Sequence, residues 1–321
     1  PSLTEEGLPI GIKVNREIVD YKLDPSTRFL TFIAAGSGSG KGVLTLSLTA
    51  SAIGSGVPLF YVDFKPDMAP VFWELEEKLG VESFIYDCNV EYHKNSQSTG
   101  FLLGGTLPKK VEKLLSENAC ALMYMRALAL MCAIADKRSK QPTNDKGLLF
   151  VFDEIQSMQR MIMSTVTKVN NLYSENLDDG DSDIRDYCLK LLNWMSNLDD
   201  ALEKYVNTTG RVSSVYSIFI GQNATAGLWN SIIPTIKIGK KGVQKPFLSR
   251  LLTSGTVTKI VGKGTTNSPY GLGGANIDQV ELKYVQNYRY FGLYDGAEAK
   301  SGSVEIFKPF LTLNSDDIFS R

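Results

Sequence analysis

Residues 28–67, RFLTFIAAGSGSGKGVLTLSLTASAIGSGVPLFYVDFKPD, form the stretch that decides the fold. Residues 28–35 are an apolar, β-branched and aromatic run, which predicts a buried strand. A glycine-rich turn follows at once, and residues 43–53 then have the apolar spacing of a helix. A strand, a glycine-rich turn and a helix in this order are the context that a phosphate-binding loop requires.

The turn has the residue types that an anion site needs. Glycines allow backbone N–H groups to converge on a phosphate, and the helix N-terminus adds partial positive charge. Lys41 would reach the outer phosphates of a nucleotide. The alternative is a flexible glycine/serine loop that happens to contain a lysine. The predicted nucleotide-binding residues are Gly36, Ser37, Gly38, Ser39, Gly40, Lys41, Gly42 and Val43.

The position after Lys41 departs from the usual pattern. A Ser or Thr hydroxyl normally binds Mg²⁺ there, whereas this chain has Gly42. The metal would therefore lack one protein ligand, and water or another side chain must complete its shell. Ala35, at the opening position of the loop, is a small substitution that the loop should tolerate.

A second nucleotide motif follows downstream. Residues 148–152, LLFVF, predict a buried strand that ends in Asp153 and Glu154. Such a strand delivers one carboxylate to Mg²⁺ and a second carboxylate that orients the attacking water. The alternative is a strand that merely ends in two acids. Another predicted strand, at 215–220, ends near Gln222, whose amide can read a γ-phosphate from the strand next to Asp153.

Composition indicates an ordinary globular protein with an uneven charge distribution. The chain has 321 residues, 43% of them hydrophobic and 21% charged, enough for one large α/β domain or two small ones. Acidic residues are absent between Glu203 and Asp278, which suggests a surface that meets a polyanion, the alternative being a solvated face. The cations of this acid-free stretch are Lys204, Arg211, Lys237, Lys240, Lys241, Lys245, Arg250, Lys259 and Lys263.

The cysteines and the single histidine argue against a zinc site. The chain has four scattered cysteines and one histidine, His93, so we expect reduced core thiols and a cytoplasmic protein. Residues 120–135 are strongly apolar, but the run is short and contains Arg126, which predicts a core helix rather than a membrane span. The chain opens at Pro1 without an initiator Met, so we also consider the cytosolic domain of a membrane-anchored protein.

The remaining pattern predicts a coarse element order. We expect a lead-in segment at 1–27 with two short strands, and a long helix or kinked pair at 107–137. Further helices are predicted at 155–173 and 183–206, with an acidic loop between them. Further strands are expected at 58–64, 83–86, 290–294 and 304–313.

The succession of motifs resembles the motor domain of the FtsK–HerA superfamily. The matching segments are LPIG (8–11), FIAAGSGSGKGV (32–43), YVDFKPD (61–67), LFVFDE (149–154) and IFIGQ (218–222). This group includes chromosome-segregation translocases, conjugative coupling proteins and the ATPases of some secretion systems. The form with Gly42 is most similar to conjugative coupling proteins and TcpA/FtsK-type DNA translocases, in which the departure recurs without loss of the motor role.

The resemblance implies a RecA-like P-loop NTPase, an α/β fold with a mainly parallel sheet flanked by helices. The ATPase domain would span 28–314, with helical insertions near 107–137 and 155–206 and a tail at 315–321. It implies a homo-oligomeric ring, a hexamer, with nucleotide between subunits. Arg211 matches an arginine that precedes the sensor strand in FtsK-like motors and would complete a neighbour's site. Arg250 is a weaker candidate for that cation.

We therefore predict an ATP-dependent DNA translocase of a conjugation or DNA-transfer system. Asp153 would hold Mg²⁺ through water, Glu154 would polarise the attacking water, and Gln222 would sense the γ-phosphate. DNA would be gripped without reading its sequence by Lys237, Lys240, Lys241 and Lys245. One alternative is a protein-translocating secretion ATPase of the same superfamily. Another is a slow-turnover, nucleotide-gated scaffold, which Gly42 favours and Glu154 opposes.

Overall fold

A computed structural model describes the chain at residues 7–63, 77, 84–87, 107–141, 147–177, 180–222, 257–266, 272, 277–295 and 304–310. The strands are β1 (Leu8–Lys13), β2 (Ile18–Tyr21), β3 (Leu30–Ala34), β4 (Leu59–Asp63), β5 (Phe84–Asp87), β6 (Leu148–Phe152), β7 (Val215–Gly221), β8 (Thr258–Val261), β9 (Phe291–Asp295) and β10 (Glu305–Pro309). The helices are α1 (Lys41–Gly54), α2 (Lys109–Glu117), α3 (Ala119–Lys140), α4 (Ile155–Ser174), α5 (Ser182–Lys204) and α6 (Gln279–Asn287).

All the described strands join one 10-stranded sheet in the order β2-β1-β10-β9-β8-β3-β7-β6-β4-β5. The strands from β8 to β5 in this order run parallel to one another. The remaining pairings, from β8 through β9, β10 and β1 to β2, are antiparallel. The predicted α/β fold with a mainly parallel sheet is confirmed, and the sheet is mixed because it carries this antiparallel part.

The central parallel strands are buried along their whole length. Every residue of β3 and of β7 is buried, as are four of the five residues of β6. Parallel sheets are covered on both faces, so their strands are continuous apolar runs rather than alternating ones. This explains why the apolar runs of the sequence locate these strands well.

Residues 8–21 of the predicted lead-in segment form the hairpin β1–β2, which belongs to the same sheet. Strand β1 pairs with β10, and α1 packs against β1. Two serines of α1 fix this contact, because Ser47 Oγ donates to Ile10 O at 3.1 Å and Ser51 Oγ donates to Pro9 O at 2.6 Å. The sheet curls strongly, since the hydroxyl of Tyr21 in β2 hydrogen-bonds that of Thr31 in β3, although four strands lie between β2 and β3 in the order.

A part-buried ion pair joins the parallel and antiparallel parts. Arg28 lies before β3, and its Nε donates to both carboxylate oxygens of Asp295 at 3.2 and 3.0 Å. The Arg28 Nη2 atom lies 3.0 Å from Asp295 Oδ2, and Thr258 of β8 also donates to this carboxylate. A forked guanidinium–carboxylate contact restricts geometry more than a single hydrogen bond does, so it holds the first residues of β3 and β8 against the end of β9.

The helical segment 107–140 is a pair of helices, one of the two predicted alternatives. Asn118 separates α2 from α3; its Nδ2 donates to Leu114 O at 2.7 Å, and its Oδ1 accepts from Lys168 Nζ at 3.0 Å. Within the described residues, α3 alone is long and apolar enough to cross a membrane by length and composition. Its most apolar window is 67% buried inside the protein, where α3 packs against α4, α5 and β7.

Helices α4 and α5 pack against each other and lead back into the sheet. Asp181 caps α5, because its carboxylate accepts from the backbone N–H groups of Asp183 and Ile184. After α5 the chain continues as a π-helical turn, Tyr205–Thr209, and a 3₁₀ turn, Gly210–Val212. Tyr205 anchors this connection, because its hydroxyl donates to Val215 O at 2.9 Å at the start of β7.

Candidate nucleotide-binding site

The predicted site residues meet at one edge of the sheet. Strand β7 lies between β3 and β6, with Gly221 opposite Ala34 and Phe219 opposite Phe152. These strands are parallel, so the residues that follow them lie at the same carboxyl edge, where open α/β sheets bind ligands. The glycine-rich loop, Gln222 and the Asp153–Glu154 pair are therefore neighbours, in that order.

The glycine-rich loop has the backbone of a phosphate-binding loop. Gly38 and Gly40 have φ angles of 70° and 98°, a left-handed conformation that favours glycine. Gly40 caps α1, and the first helical residue is Lys41. Lys41 Nζ donates to Ala35 O at 2.5 Å and to Gly36 O at 3.3 Å, so the ammonium group lies over the opening of the loop.

Ser39 shows that the loop suits an anion. Its side chain is buried, with 2% exposure, and its hydroxyl has no hydrogen-bond partner among the described residues. A buried hydroxyl without a partner costs free energy, and a bound phosphate oxygen would accept from it. Together with the Lys41 ammonium and the N-terminus of α1, these residues fit the phosphates of a nucleotide.

A turn after β8 braces the loop, a contact that the sequence reasoning missed. The Gly36 N–H donates to Lys263 O at 2.6 Å, and the Gly262 N–H donates to Ala34 O at 2.8 Å. The Thr265 hydroxyl also donates to Ala34 O, at 3.1 Å. The available sequence signal was the pair of glycines around Lys263, directly after a β-branched run.

Asp153 is oriented by its neighbours. Its Oδ1 accepts from the Glu154 N–H at 2.7 Å, and its Oδ2 accepts from the hydroxyl of the fully buried Tyr61 at 3.3 Å. The Tyr124 hydroxyl donates to Asp153 O at 3.5 Å. Asp153 is the side chain that would hold Mg²⁺, directly or through water, and the metal would there neutralise phosphate charge. Tyr61 belongs to the quoted YVDFKPD motif, but no feature of that motif predicts its contact with Asp153.

Glu154 has an unusual backbone conformation. Its φ of 50° and ψ of 40° are left-handed, although it is not a glycine, and it caps α4. Its carbonyl accepts from the N–H groups of Ser157 and Met158 at 2.9 and 3.1 Å. Such conformations are uncommon and cluster at functional sites. The Gln222 amide lies beside the Glu154 carboxylate, with Nε2 donating to Oε2 at 3.4 Å.

Arg211 lies away from this edge. It is exposed in the 3₁₀ turn that precedes β7, whereas Gln222 follows that strand. The 7 residues of β7 span about 23 Å, so Arg211 is at the amino edge of the sheet, opposite its own phosphate loop. Arg211 is therefore too far from the phosphate loop of its own chain to contact a nucleotide bound there.

The acid-free stretch between Glu203 and Asp278 is only partly described. Lys237, Lys240, Lys241, Lys245 and Arg250 lie outside the described residues. Of the others, Lys204 forms an ion pair with Asp136. Lys259 is buried, with its ammonium 5.5 Å from the centroid of the Tyr294 ring, and burial lowers its pKa to about 8. The polyanion hypothesis therefore rests mainly on the cations at 237–250.

The described cysteines, namely Cys120, Cys132 and Cys188, are buried. Burial raises the pKa of Cys132 to about 12 and that of Cys188 to about 11, so both stay protonated at neutral pH. In the part of the chain that the structure describes, no group of three or more His, Cys, Asp or Glu side chains could hold a metal. Cys88 and His93 lie outside it, and the expected absence of zinc stays a prediction.

No protein-family model and no curated protein matches the sequence. Solved structures do match. Thermomonospora curvata EccC (ATPases 2 and 3), in complex with a signal sequence peptide, has a TM-score of 0.50 at 12% identity over 97% of this chain and 42% of that one. The pCW3 conjugation coupling protein TcpA, a monomer form with ATPγS, has a TM-score of 0.46 at 15% identity. The match covers 97% of this chain and 67% of the TcpA chain. The genome packaging NTPase B204 from Sulfolobus turreted icosahedral virus 2 has a TM-score of 0.38 at 10% identity. The match covers 90% of this chain and 98% of the B204 chain.

These likenesses concern the fold. The chain spans less than half of the EccC chain that it matches. The fold that this resemblance implies, an α/β ATPase domain, is confirmed by the likeness to ATPases 2 and 3 of EccC. The chain thus has the α/β fold of the P-loop ATPases, shared with ATPases 2 and 3 of EccC.

Proposed function

We propose that this chain is the ATP-hydrolysing motor domain of a translocase. One observation carries the proposal: the loop of Lys41, the Asp153–Glu154 pair and Gln222 follow adjacent parallel strands and meet at one edge. Phosphoryl transfer needs phosphate binding, a metal-binding carboxylate and a group that orients water, and these residues supply all three.

Each residue has a separate task in this proposal. Lys41 and the amides of residues 36–43 bind the phosphates, and Ser39 donates its buried hydroxyl to them. Asp153 is held by Tyr61 for Mg²⁺, and Glu154 polarises the attacking water. Gln222, which touches Glu154, reports the presence of the γ-phosphate.

Two substitutions test these roles. Glu154→Gln keeps the shape of the side chain and removes the charge that polarises water, so turnover should fall by about 100-fold or more while ATP binding stays. Lys41→Ala should lose phosphate affinity itself. The measurements are steady-state ATPase rates and equilibrium binding of a non-hydrolysable ATP analogue. Near-normal turnover in Glu154→Gln would show that Glu154 is not the base.

We propose DNA as the substrate, in a conjugation or DNA-transfer system. The acid-free stretch between Glu203 and Asp278 supports a polyanion partner, and its cations at 237–250 would grip phosphates without reading sequence. A sequence-independent grip suits a hexameric ring that moves along its substrate. In this proposal the chain is cytoplasmic, alone or as the cytosolic domain of a membrane-anchored protein.

Protein translocation is the second candidate. It is favoured by the fold likeness to EccC, whose structure holds a signal sequence peptide. It is also favoured by Lys204 and Lys259, two cations of the acid-free stretch that are engaged within the fold. The discriminating measurement is the ATPase rate with and without DNA. DNA stimulation supports the first candidate, activity indifferent to DNA supports the second, and absence of turnover supports a nucleotide-gated scaffold.

A further inference from the structure

We propose that Gln156 is a positioning residue that holds Gln222 against Glu154, a role that rests on the proposed function. Gln156 is the second residue of α4 and is half-buried. Its Oε1 accepts the backbone N–H of Gln222 at 2.8 Å. The first turn of α4 is thereby linked directly to the residue that follows β7.

The sheet ends just before Gln222. The pairing of β7 with β3 ends at Gly221, and its pairing with β6 ends at Phe219. Gln222 is therefore the first residue beyond both ladders, and no strand among the described residues pairs with its backbone N–H. A side-chain acceptor at this point fixes the direction in which the chain leaves the sheet.

The start of α4 is a firm anchor for this link. The Glu154 N–H donates to Asp153 Oδ1 at 2.7 Å, and the Glu154 carbonyl accepts from Ser157 and Met158. The Asp153 N–H in turn donates to Val62 O in β4 at 3.2 Å. Gln156 therefore projects from a turn that is tied to the sheet on the other side of the site.

The link determines where the Gln222 amide lies. Gln222 is exposed among the described residues, and its Nε2 lies 3.4 Å from Glu154 Oε2. The hydrogen bond from the Gln222 N–H to Gln156 restrains the Gln222 backbone, and this restraint positions the Gln222 side chain beside the Glu154 carboxylate. Turnover should depend on that placement, because small displacements of orienting groups lower the rate strongly. Phosphate binding by the Lys41 loop does not use it.

Hydrogen exchange tests the link without reference to activity. Gln156→Met keeps the length of the side chain and removes the acceptor, whereas Gln156→Glu keeps a side-chain acceptor. The Gln222 amide should exchange about fivefold faster in Gln156→Met and in the shorter Gln156→Asn. In Gln156→Glu its exchange should match the wild type. Gln279→Met, the same change in the first turn of α6, is the matched control and should leave Gln222 exchange unchanged.

Kinetics test the positioning role. In Gln156→Met, kcat should fall by about tenfold while affinity for a non-hydrolysable ATP analogue stays within about twofold of the wild type. Gln156→Glu should restore most of kcat. Unchanged Gln222 exchange in both Gln156→Met and Gln156→Asn would overturn the link. Equal loss of kcat in Gln156→Met and Gln156→Glu would overturn the positioning role. A wild-type domain without any ATPase activity would instead refute the proposed function, while the exchange result would still decide the link.

Discussion

Gly42 occupies the place where phosphate-binding loops normally carry a hydroxyl, and the structure gives no steric reason for a glycine. A Cβ added there meets nothing within 4 Å, and its φ is not among the positive values. Gly42→Ser should therefore fold normally and keep or raise Mg²⁺-dependent ATPase activity, because a hydroxyl is added and the backbone N–H remains. The measurement is the ATPase rate as a function of Mg²⁺ concentration.

Gly40→Ser is the contrasting variant. Gly40 has a φ of 98°, so a side chain there is strained although the nearest atom to its Cβ is 3.9 Å away. This variant should lose nucleotide affinity. A severe loss of activity in folded Gly42→Ser would mean that Gly42 makes a close contact with nucleotide or with a neighbouring subunit.

Lys259 should make stability depend on pH. Burial lowers its pKa from 10.5 to about 8, so between these values the unfolded chain binds more protons than the folded chain. Stability from this group therefore rises with pH over that window, and below pH 8 its penalty is constant. Lys259→Met should be more stable than the wild type at pH 7, with an advantage that shrinks by about 1 kcal/mol between pH 7 and 9.

Urea unfolding of both proteins at several pH values measures this effect. The comparison removes the contribution of Cys132 and Cys188, whose raised pKa values lower stability above pH 9 in both proteins. Parallel stability curves for the two proteins would show that Lys259 does not titrate in this range.

At the scale of elements, β7 separates two predicted site residues, Arg211 and Gln222. Its carboxyl end carries Gln222 beside the nucleotide edge, and the 3₁₀ turn before its amino end carries Arg211. This arrangement suits an arginine that completes a neighbour's site, since added cations accelerate phosphoryl transfer in trans. Arg211→Ala should bind ATP normally and be inactive alone. Mixed with Lys41→Ala subunits, it should regain part of the activity, because the partner supplies the arginine.

The mixing experiment is an ATPase titration of one variant into the other at constant total protein. Arg185 on α5, a half-buried arginine paired with Asp186, gives a control, Arg185→Ala, that should behave as the wild type. Full activity of Arg211→Ala in dilute, monomeric protein would remove this arginine from the mechanism.

At the scale of the whole molecule, we expect the cations of the acid-free stretch to determine whether the partner is DNA. Replacing Lys240, Lys241 and Lys245 together by Gln should weaken DNA binding, flatten its salt dependence and abolish DNA-stimulated ATPase activity. Each lost phosphate contact should lower the slope of log affinity against log salt by about 1. Basal ATPase activity should survive, because none of these lysines is among the residues assigned to nucleotide binding or hydrolysis.

The matched control replaces Lys109, Lys110 and Lys113, three exposed lysines of α2, by Gln. It changes the net charge equally and should leave DNA binding unaltered. Absence of DNA binding by the assembled wild-type domain at low salt would refute the DNA proposal and favour protein translocation.

The sequence alone determined what depends on neighbours along the chain. The β3–loop–α1 unit, the Asp153–Glu154 ending of β6 and the apolar strand before Gln222 were all predictable, because buried parallel strands and their terminal residues are local patterns. The break between α2 and α3 was only half determined. The sequence allowed either one continuous helix through residue 118 or two helices that meet there. The contact of Asn118 with Lys168 involves a different helix, α4.

Only the tertiary structure decided what joins distant segments. The pairing of β1 with β10, the brace of Gly36 by Lys263 and the link of Gln222 to Gln156 each connect residues far apart in sequence. Every residue except proline has the same backbone N–H and C=O groups, so the sequence does not indicate which of these groups will pair. The physical reason is that each such contact becomes favourable only after folding has brought its two segments together and met the entropic cost of closing the loop between them.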